Sequence, residues 1–193
     1  MESFFLGKRK FGVFEGVYAP SDDSFLLLDA LKAEKPATAL DLGCGSGIIG
    51  LQMMLNGSAV LFADIQEKCV ENARQNSGKI PIKMKPEFIV SDLFSNIEGK
   101  FGLIAFNPPY VPSDKLKYPE TDGGKKGRIV IDRFLNEFPA HLGEKGKCYF
   151  LQSSLNGINE TEKSLEGRGL EVEIVSRKKL FFEELVVFKV FYI

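Results

Sequence analysis

The sequence predicts an α/β fold: a seven-stranded, mostly parallel sheet with helices on both faces and an antiparallel strand at its C-terminal end. Short apolar runs alternate with amphipathic stretches along most of the chain, and this alternation builds a parallel sheet covered on both sides. Several runs end in an acid and then glycine or proline, as buried strands do when they reach the rim of a sheet. The last two runs, 170–176 and 184–193, read as strands antiparallel to each other.

The first helix is SFLLLDALKA, 24–33, with capping oxygens offered by Ser21, Asp22 and Asp23. ATALDL (37–42) is a buried strand, IIGLQMMLN (48–56) a helix and AVLFAD (59–64) the second strand. In QEKCVENARQNS (66–77), Cys69, Val70 and Ala73 recur at helical spacing among charges, which makes an amphipathic helix. PEFIVSD (86–92) and FGLIAF (101–106) are strands, GRIVIDRFLNEFPAHL (127–142) a helix and KCYFLQSS (147–154) a strand. NETEKSLEGRG (159–169) is a helix stopped by glycine, and LEVEIVS and ELVVFKVFYI close the chain. The segment VPSDKLKYPETDGGKK (111–126) is too polar and too rich in Gly and Pro to pack, and is expected to form a mobile substrate loop.

At 193 residues and 44% hydrophobic content, the chain is expected to be one domain, 1–193, with a full core. Its net charge of −1 gives no global field to attract nucleic acid. Three cysteines (Cys44, Cys69, Cys148), without metal-ligand spacing, point to a reducing compartment. No signal peptide and no apolar stretch of membrane-spanning length is seen, so a cytoplasmic protein without a membrane partner is the expectation.

DLGCGSGIIG (41–50) places Asp41 at the end of the first strand and Gly43, Gly45 and Gly47 before a helix. Glycines there let the backbone turn and approach a ligand, while the helix start presents free amides. Gly45, Gly47 and Gly50 also spell the dinucleotide fingerprint, with Asp64 about 20 residues on. A carboxylate at Asp41 repels a pyrophosphate but suits the ammonium of an amino-acid moiety. Asp64, ending the second strand, suits ribose hydroxyls. Asp92 suits an adenine amino group, with Leu93 covering the ring. Any one of these acids alone reads as a solvated strand end, but three at successive strand ends fit S-adenosylmethionine better than a nicotinamide cofactor.

The strand 101–106 ends in Asn107-Pro108-Pro109-Tyr110. Neither proline donates to a ladder, and Pro108 steers Asn107 away from helical geometry, so the chain is held extended at low entropic cost. The Asn107 side-chain oxygen and the Pro108 carbonyl can each accept one N–H of a planar nitrogen, redirecting its lone pair toward a methyl donor. Tyr110 offers a flat face to a planar group. Such a transfer needs positioning and a dry site, with no metal, triad or covalent nucleophile.

In this order, these motifs resemble a class I methyltransferase of the N-methylating kind, with its Rossmann-like fold. VYAPSDDSFLLLDAL (17–31), FNPPYVP (106–112) and GGKKGRIVIDRFL (123–135) are similar to the HemK-like glutamine methyltransferases, in particular their short archaeal and eukaryotic branch. The resemblance implies N5-methylation of the glutamine in the Gly-Gly-Gln loop of a class 1 peptide release factor. It implies that Ser24, Asp41, Gly43, Gly45, Asp64, Asp92, Leu93 and Asn107 hold the cofactor, with the segment 1–35 completing that site. It implies further that Asn107, Pro108, Pro109 and Tyr110 hold the glutamine amide. Eukaryotic members work with a small zinc-binding activator subunit and also accept a histone lysine. Cys44 departs from the usual glycine-loop spelling and is expected to pack rather than react.

The residues themselves leave other readings open. An adenine-N6 or other nucleic-acid methyltransferase uses the same tetrapeptide on an exocyclic amine, and Lys115, Lys117, Lys125, Lys126 and Arg128 form a local basic group. A protein lysine methyltransferase, a non-catalytic scaffold and a dehydrogenase complete the set. The last explains neither Asp41 nor the tetrapeptide.

Overall fold

The computed structural model describes residues 2–81, 84–114 and 121–193. An antiparallel hairpin, β1 (Glu2–Leu6) and β2 (Arg9–Val13), leads into α1 (Asp22–Leu31). There follow β3 (Thr38–Leu42), α2 (Ile48–Leu55), β4 (Ala59–Asp64), α3 (Glu67–Ser77), β5 (Glu87–Val90) and β6 (Phe101–Phe106). The second half is α4 (Ile129–His141), β7 (Leu142–Ser153), a 3-10 turn (Ser154–Asn156), α5 (Ile158–Glu166), β8 (Leu170–Lys179) and β9 (Glu184–Tyr192). The main sheet has seven strands in the order β5-β4-β3-β6-β7-β9-β8, and β9 runs antiparallel to both of its neighbours.

Strand periodicity sorts the core into two layers. On β6, Leu103 and Ala105 face the side covered by the hairpin and the first three helices, while Ile104 and Phe106 face the other. The second layer is built on aromatics: Phe134 of α4 packs against Phe106, Phe138 and Phe150, with ring centroids 4.8, 5.1 and 5.5 Å away. Burying each such side chain stabilises the fold by about 1.5–3 kcal/mol.

Several features differ from the sequence reading: β7 already begins at Leu142, inside the expected helix 127–142 and ahead of 147, and β8 runs on to Lys179. The hairpin was not anticipated; Phe4, Leu6, Phe11 and Val13 point inward from strands of five residues each. Two buried asparagines on the otherwise amphipathic α3 clamp it. Asn72 Nδ2 and Asn76 Nδ2 both donate to the Gly12 carbonyl, and their oxygens accept from Phe14 N and Gly12 N. The start of α1 also departs from expectation: the helix begins at Asp22, Ser21 precedes it without a side-chain cap, and Asp23 takes the Ser24 amide of the first turn while gathering tertiary partners as well.

The order of strands reverses between β3 and β6, where a crevice opens at their carboxyl ends. The glycine loop leaves β3 on one side of it and the tetrapeptide leaves β6 on the other. The arms of segment 111–126 pair with each other: Val111 N donates to Thr121 O at 2.9 Å, and Ser113 N to Gly124 O at 3.0 Å. Residues 115–120 lie outside the described residues, and Lys115 and Lys117 with them.

Candidate active site

The crevice holds a cavity of about 430 Å³ that brings together every site residue expected from the sequence. Ser24, Asp41, Gly43, Gly45, Asp64, Asp92, Leu93 and the whole run Asn107 to Tyr110 line it. Tyr18, Asp23, Asp122 and Arg133 join them. Five carboxylates (Asp23, Asp41, Asp64, Asp92, Asp122) thus face one guanidinium.

The glycine loop is shaped by backbone needs at Gly45 and packing needs at Gly50. Gly45 adopts φ +51 with open space where a Cβ would stand, so it serves the turn and leaves a bare backbone toward the cavity. At Gly50 a Cβ would come 2.1 Å from the Phe62 ring, so glycine there sets how closely α2 lies on β4.

Two of the acids are partly engaged in building this loop. Asp41 Oδ2 accepts from Gly50 N at 2.8 Å. Asp64 accepts from Gly45 N at 3.0 Å through Oδ2 and from Gln66 N at 2.9 Å through Oδ1. Burial holds both carboxyls above the usual carboxylate range, against the effect of those amides; at Asp41 the neighbouring Asp64 adds to the rise. Burial, reinforced by the same two acids, likewise pushes the Cys44 thiol well up, so it is a packed and unreactive group.

Asp92 is ion-paired to Arg133, 3.0 Å from Oδ2, which leaves Oδ1 available. Leu93 is buried in the left-handed region at φ +48, a conformation that costs a non-glycine residue about 1–3 kcal/mol and gathers at functional sites. Ser91 holds it there, donating through Oγ to Leu93 O at 2.8 Å while accepting from Asn96 N at 3.1 Å.

The tetrapeptide is organised by Asp23, which is only 5% exposed. Its carboxylate accepts from Tyr18 Oη, Ser24 N, Ser24 Oγ, Asn107 Nδ2 at 3.1 Å and Tyr110 Oη at 3.4 Å. A carboxylate only accepts, so it dictates that the NH2 end of Asn107 faces it. The Asn107 oxygen is therefore turned the other way, and it is buried without a hydrogen-bond partner among the described residues. Burial, then the Asp23 charge, pushes the Tyr18 hydroxyl up to about 12 and the Tyr110 hydroxyl further in the same direction.

Behind the tetrapeptide, Asn156 Nδ2 donates to Tyr110 O at 2.8 Å and to Lys126 O at 3.1 Å. Arg128 is buried and donates to Asn156 O, Thr161 Oγ1 and Asp132. It therefore braces this wall, and of the expected basic group only Lys125 and Lys126 are exposed among the described residues.

Asp23 and Asn156 shape the cavity wall and were not among the site residues expected from the sequence. Asp23 carried a signal, since two adjacent acids stand in the first turn of α1 and one cap needs only one of them. Asn156 carried none.

The lining tests which cofactor fits. A pyrophosphate would meet the carboxylates of Asp41 and Asp64 at the glycine loop, whereas a sulfonium with an ammonium group complements them. Comparison with known proteins agrees. The Methyltransferase small domain family matches residues 10–182. "Putative protein N5-glutamine methyltransferase" of Methanocaldococcus jannaschii is 39% identical over 178 residues, 89% of each chain. Methyltransferase HEMK2 of Homo sapiens is 32% identical over 196 residues, 92% of this chain and 91% of its own. Among solved structures, the E. cuniculi Mtq2–Trm112 complex, described as responsible for methylation of the eRF1 translation termination factor, superposes with a TM-score of 0.77. The identity there is 29%, covering 92% of this chain and 99% of that one.

Proposed function

Because the chain belongs to the methyltransferase small domain family, we propose that it methylates the side-chain nitrogen (N5) of the glutamine in the Gly-Gly-Gln loop of a class 1 peptide release factor. The observation that carries this reading is the buried Asn107 oxygen, without a hydrogen-bond partner among the described residues, in a side chain that Asp23 holds by its NH2 end and that lines an acceptor-rich cavity. A primary amide brings two N–H donors on one planar nitrogen, which is what such a wall lacks.

S-adenosylmethionine is the cofactor, and when bound it supplies an electrophilic methyl on a sulfonium. Asp64 takes the ribose, Asp92 and Leu93 the adenine, and Asp41 with Gly43, Gly45 and Ser24 the amino-acid end. Asn107 Oδ1 accepts one amide N–H and the Pro108 carbonyl the other, which turns the nitrogen lone pair out of conjugation. Tyr110 covers the planar amide, and Pro108 and Pro109 keep these acceptors in place without reorganisation. The segment 1–35 completes the cofactor side through Tyr18, Asp23 and Ser24. The described arms of loop 111–126 line the cavity through Val111, Thr121 and Asp122 and help to exclude water from it.

The enzyme acts in the cytoplasm, in keeping with three buried cysteines that form no disulfide, and with a small zinc-binding activator subunit. No helix of the described residues is long and apolar enough to cross a membrane.

The test is transfer of labelled methyl to the release factor from the same organism and to its variant with the Gly-Gly-Gln glutamine changed to alanine. Both are assayed with and without the activator, beside total RNA and histone. Label in the unaltered factor alone is the expected result; label in RNA or on lysine would overturn the substrate assignment.

A further inference from the structure

We propose that the tip of the β8–β9 hairpin, Phe181-Phe182, is a docking knob for the protein substrate, seating in an apolar pocket beside the loop that enters the cavity. This rests on the functional reading above. The two side chains are 93% and 85% exposed, belong to neither hydrophobic core, and meet edge to face with centroids 4.7 Å apart. Folding therefore gains almost nothing from them, while adjacent exposed phenylalanines are a liability for a chain with no partner there.

The tip is also held in place. Leu180 N donates to Glu183 O at 2.8 Å across the turn, and Arg177 pairs with Glu184 at 2.7 Å at its base. Lys178 reaches Asp22 of α1 at 2.8 Å, next to the Asp23 hub, and Glu184 N donates to Ser154 Oγ at 3.0 Å. A rigid aromatic pair is the kind of anchor that dominates protein interfaces, because little side-chain entropy is lost when it is buried.

Its position selects the occupant. Ser153 at the carboxyl end of β7 pairs with Leu185, so the tip projects from the same end of the sheet as the cavity mouth. Glu183, which closes the turn at the tip, is among the charges that raise the Tyr110 hydroxyl of the cavity wall. A body whose glutamine reaches Asn107 must pass this rim, and the acidic lining with Glu183 favours a partner pocket flanked by cationic side chains.

The experiment compares the wild-type enzyme with the double variant Phe181→Ser, Phe182→Ser in steady-state methylation of the whole release factor. S-adenosylmethionine binding, melting temperature and sedimentation are measured alongside. The expected result is a rise of about tenfold or more in KM for the release factor. The kcat at saturation and cofactor affinity should stay within about twofold, with no fall in melting temperature. Unchanged KM overturns the docking proposal and leaves the functional reading standing. A wild-type dimer that dissociates in the variant, with KM unchanged, assigns the tip to a second copy and equally overturns it. No methylation of the release factor by the wild type, under any activator condition, refutes the functional reading and this proposal with it.

Discussion

Replacing Asp23 by asparagine isolates the part played by the carboxylate in orienting Asn107. The change keeps shape and volume but converts one acceptor oxygen into an NH2 donor. Asn107 Nδ2 is bonded to Asp23 Oδ2; with a donor placed there, the Asn107 amide turns over so that its oxygen accepts from the introduced group. The cavity then receives an NH2 where the substrate presents an N–H. A buried donor left without a partner costs about 1–3 kcal/mol. At about 1.4 kcal/mol per tenfold, this corresponds to a loss of about 5- to 140-fold in the methyl-transfer step. Tyr18 and Ser24 still donate to whichever oxygen remains, so the fold should hold. The assay is single-turnover transfer to the release factor at saturating substrate, with cofactor affinity and melting temperature measured on the same preparation. A rate within about twofold of wild type, in a folded variant, would refute the reasoning, because Asn107 would then be oriented without the charge. A parallel collapse of cofactor binding and thermal stability would instead assign Asp23 to holding the start of α1.

Other perturbations have equally definite outcomes. Asn107→Ala should reduce the rate by more than about a hundredfold with the fold intact, since it removes the acceptor itself; near-full activity would remove the assignment. Gly50→Ala would place a Cβ 2.1 Å from the Phe62 ring and 2.8 Å from Asp41 Oδ2. Overpacking of this kind costs about 1–3 kcal/mol, or about 2–12 °C in a domain of this size, and a calorimetric shift below about 1 °C would contradict the packing argument. The raised carboxyls of Asp41 and Asp64 bind their protons more tightly in the folded chain. Their contribution to stability is therefore complete below the ordinary aspartate range and is lost as pH rises through the raised values. A cationic cofactor favours the ionised forms, so its affinity should strengthen over that same rise and its binding should release protons. Titration calorimetry in two buffers of different ionisation enthalpy reads this directly, and proton uptake would reverse the electrostatic account.

What could be read from the sequence was whatever rests on periodicity and on residues with narrow uses. Buried strands announce themselves by apolar runs, so β3, β4 and β6 fell within a residue of their expected bounds. The glycine loop and the paired prolines constrain backbone geometry locally, which is why every residue assigned to the site does line one cavity. The hairpin escaped because its few apolar residues are interleaved with charges and glycine, and the asparagines that clamp it lie some sixty residues on, in α3. Asn72 and Asn76 looked like part of a solvated helix face; a buried asparagine differs from an exposed one only by what lies opposite. Asp23 was read only in part for a related reason: it takes the Ser24 amide at the helix start as an acid there does, but its bonds to Tyr18, Asn107 and Tyr110 depend on what the fold brings opposite.

The division of donors and acceptors explains why one site can be so acidic and still bind a nucleoside. The donors that the crevice supplies are largely consumed by its own acids: Gly50 N by Asp41, Gly45 N by Asp64, Arg133 by Asp92, and Tyr18, Ser24, Asn107 Nδ2 and Tyr110 by Asp23. Asp23 is saturated by its donors, but Asp41 and Asp92 have more lone pairs than these bonds use, so the surplus facing the cavity is of acceptors. A ligand must then bring the donors: ribose hydroxyls, an adenine amine, an ammonium, a carboxamide. Phosphates bring only acceptors and negative charge, and the same wall that holds a sulfonium nucleoside repels them. Asn107 is where this logic reaches the chemistry, because its oxygen is a buried acceptor left without a hydrogen-bond partner among the described residues.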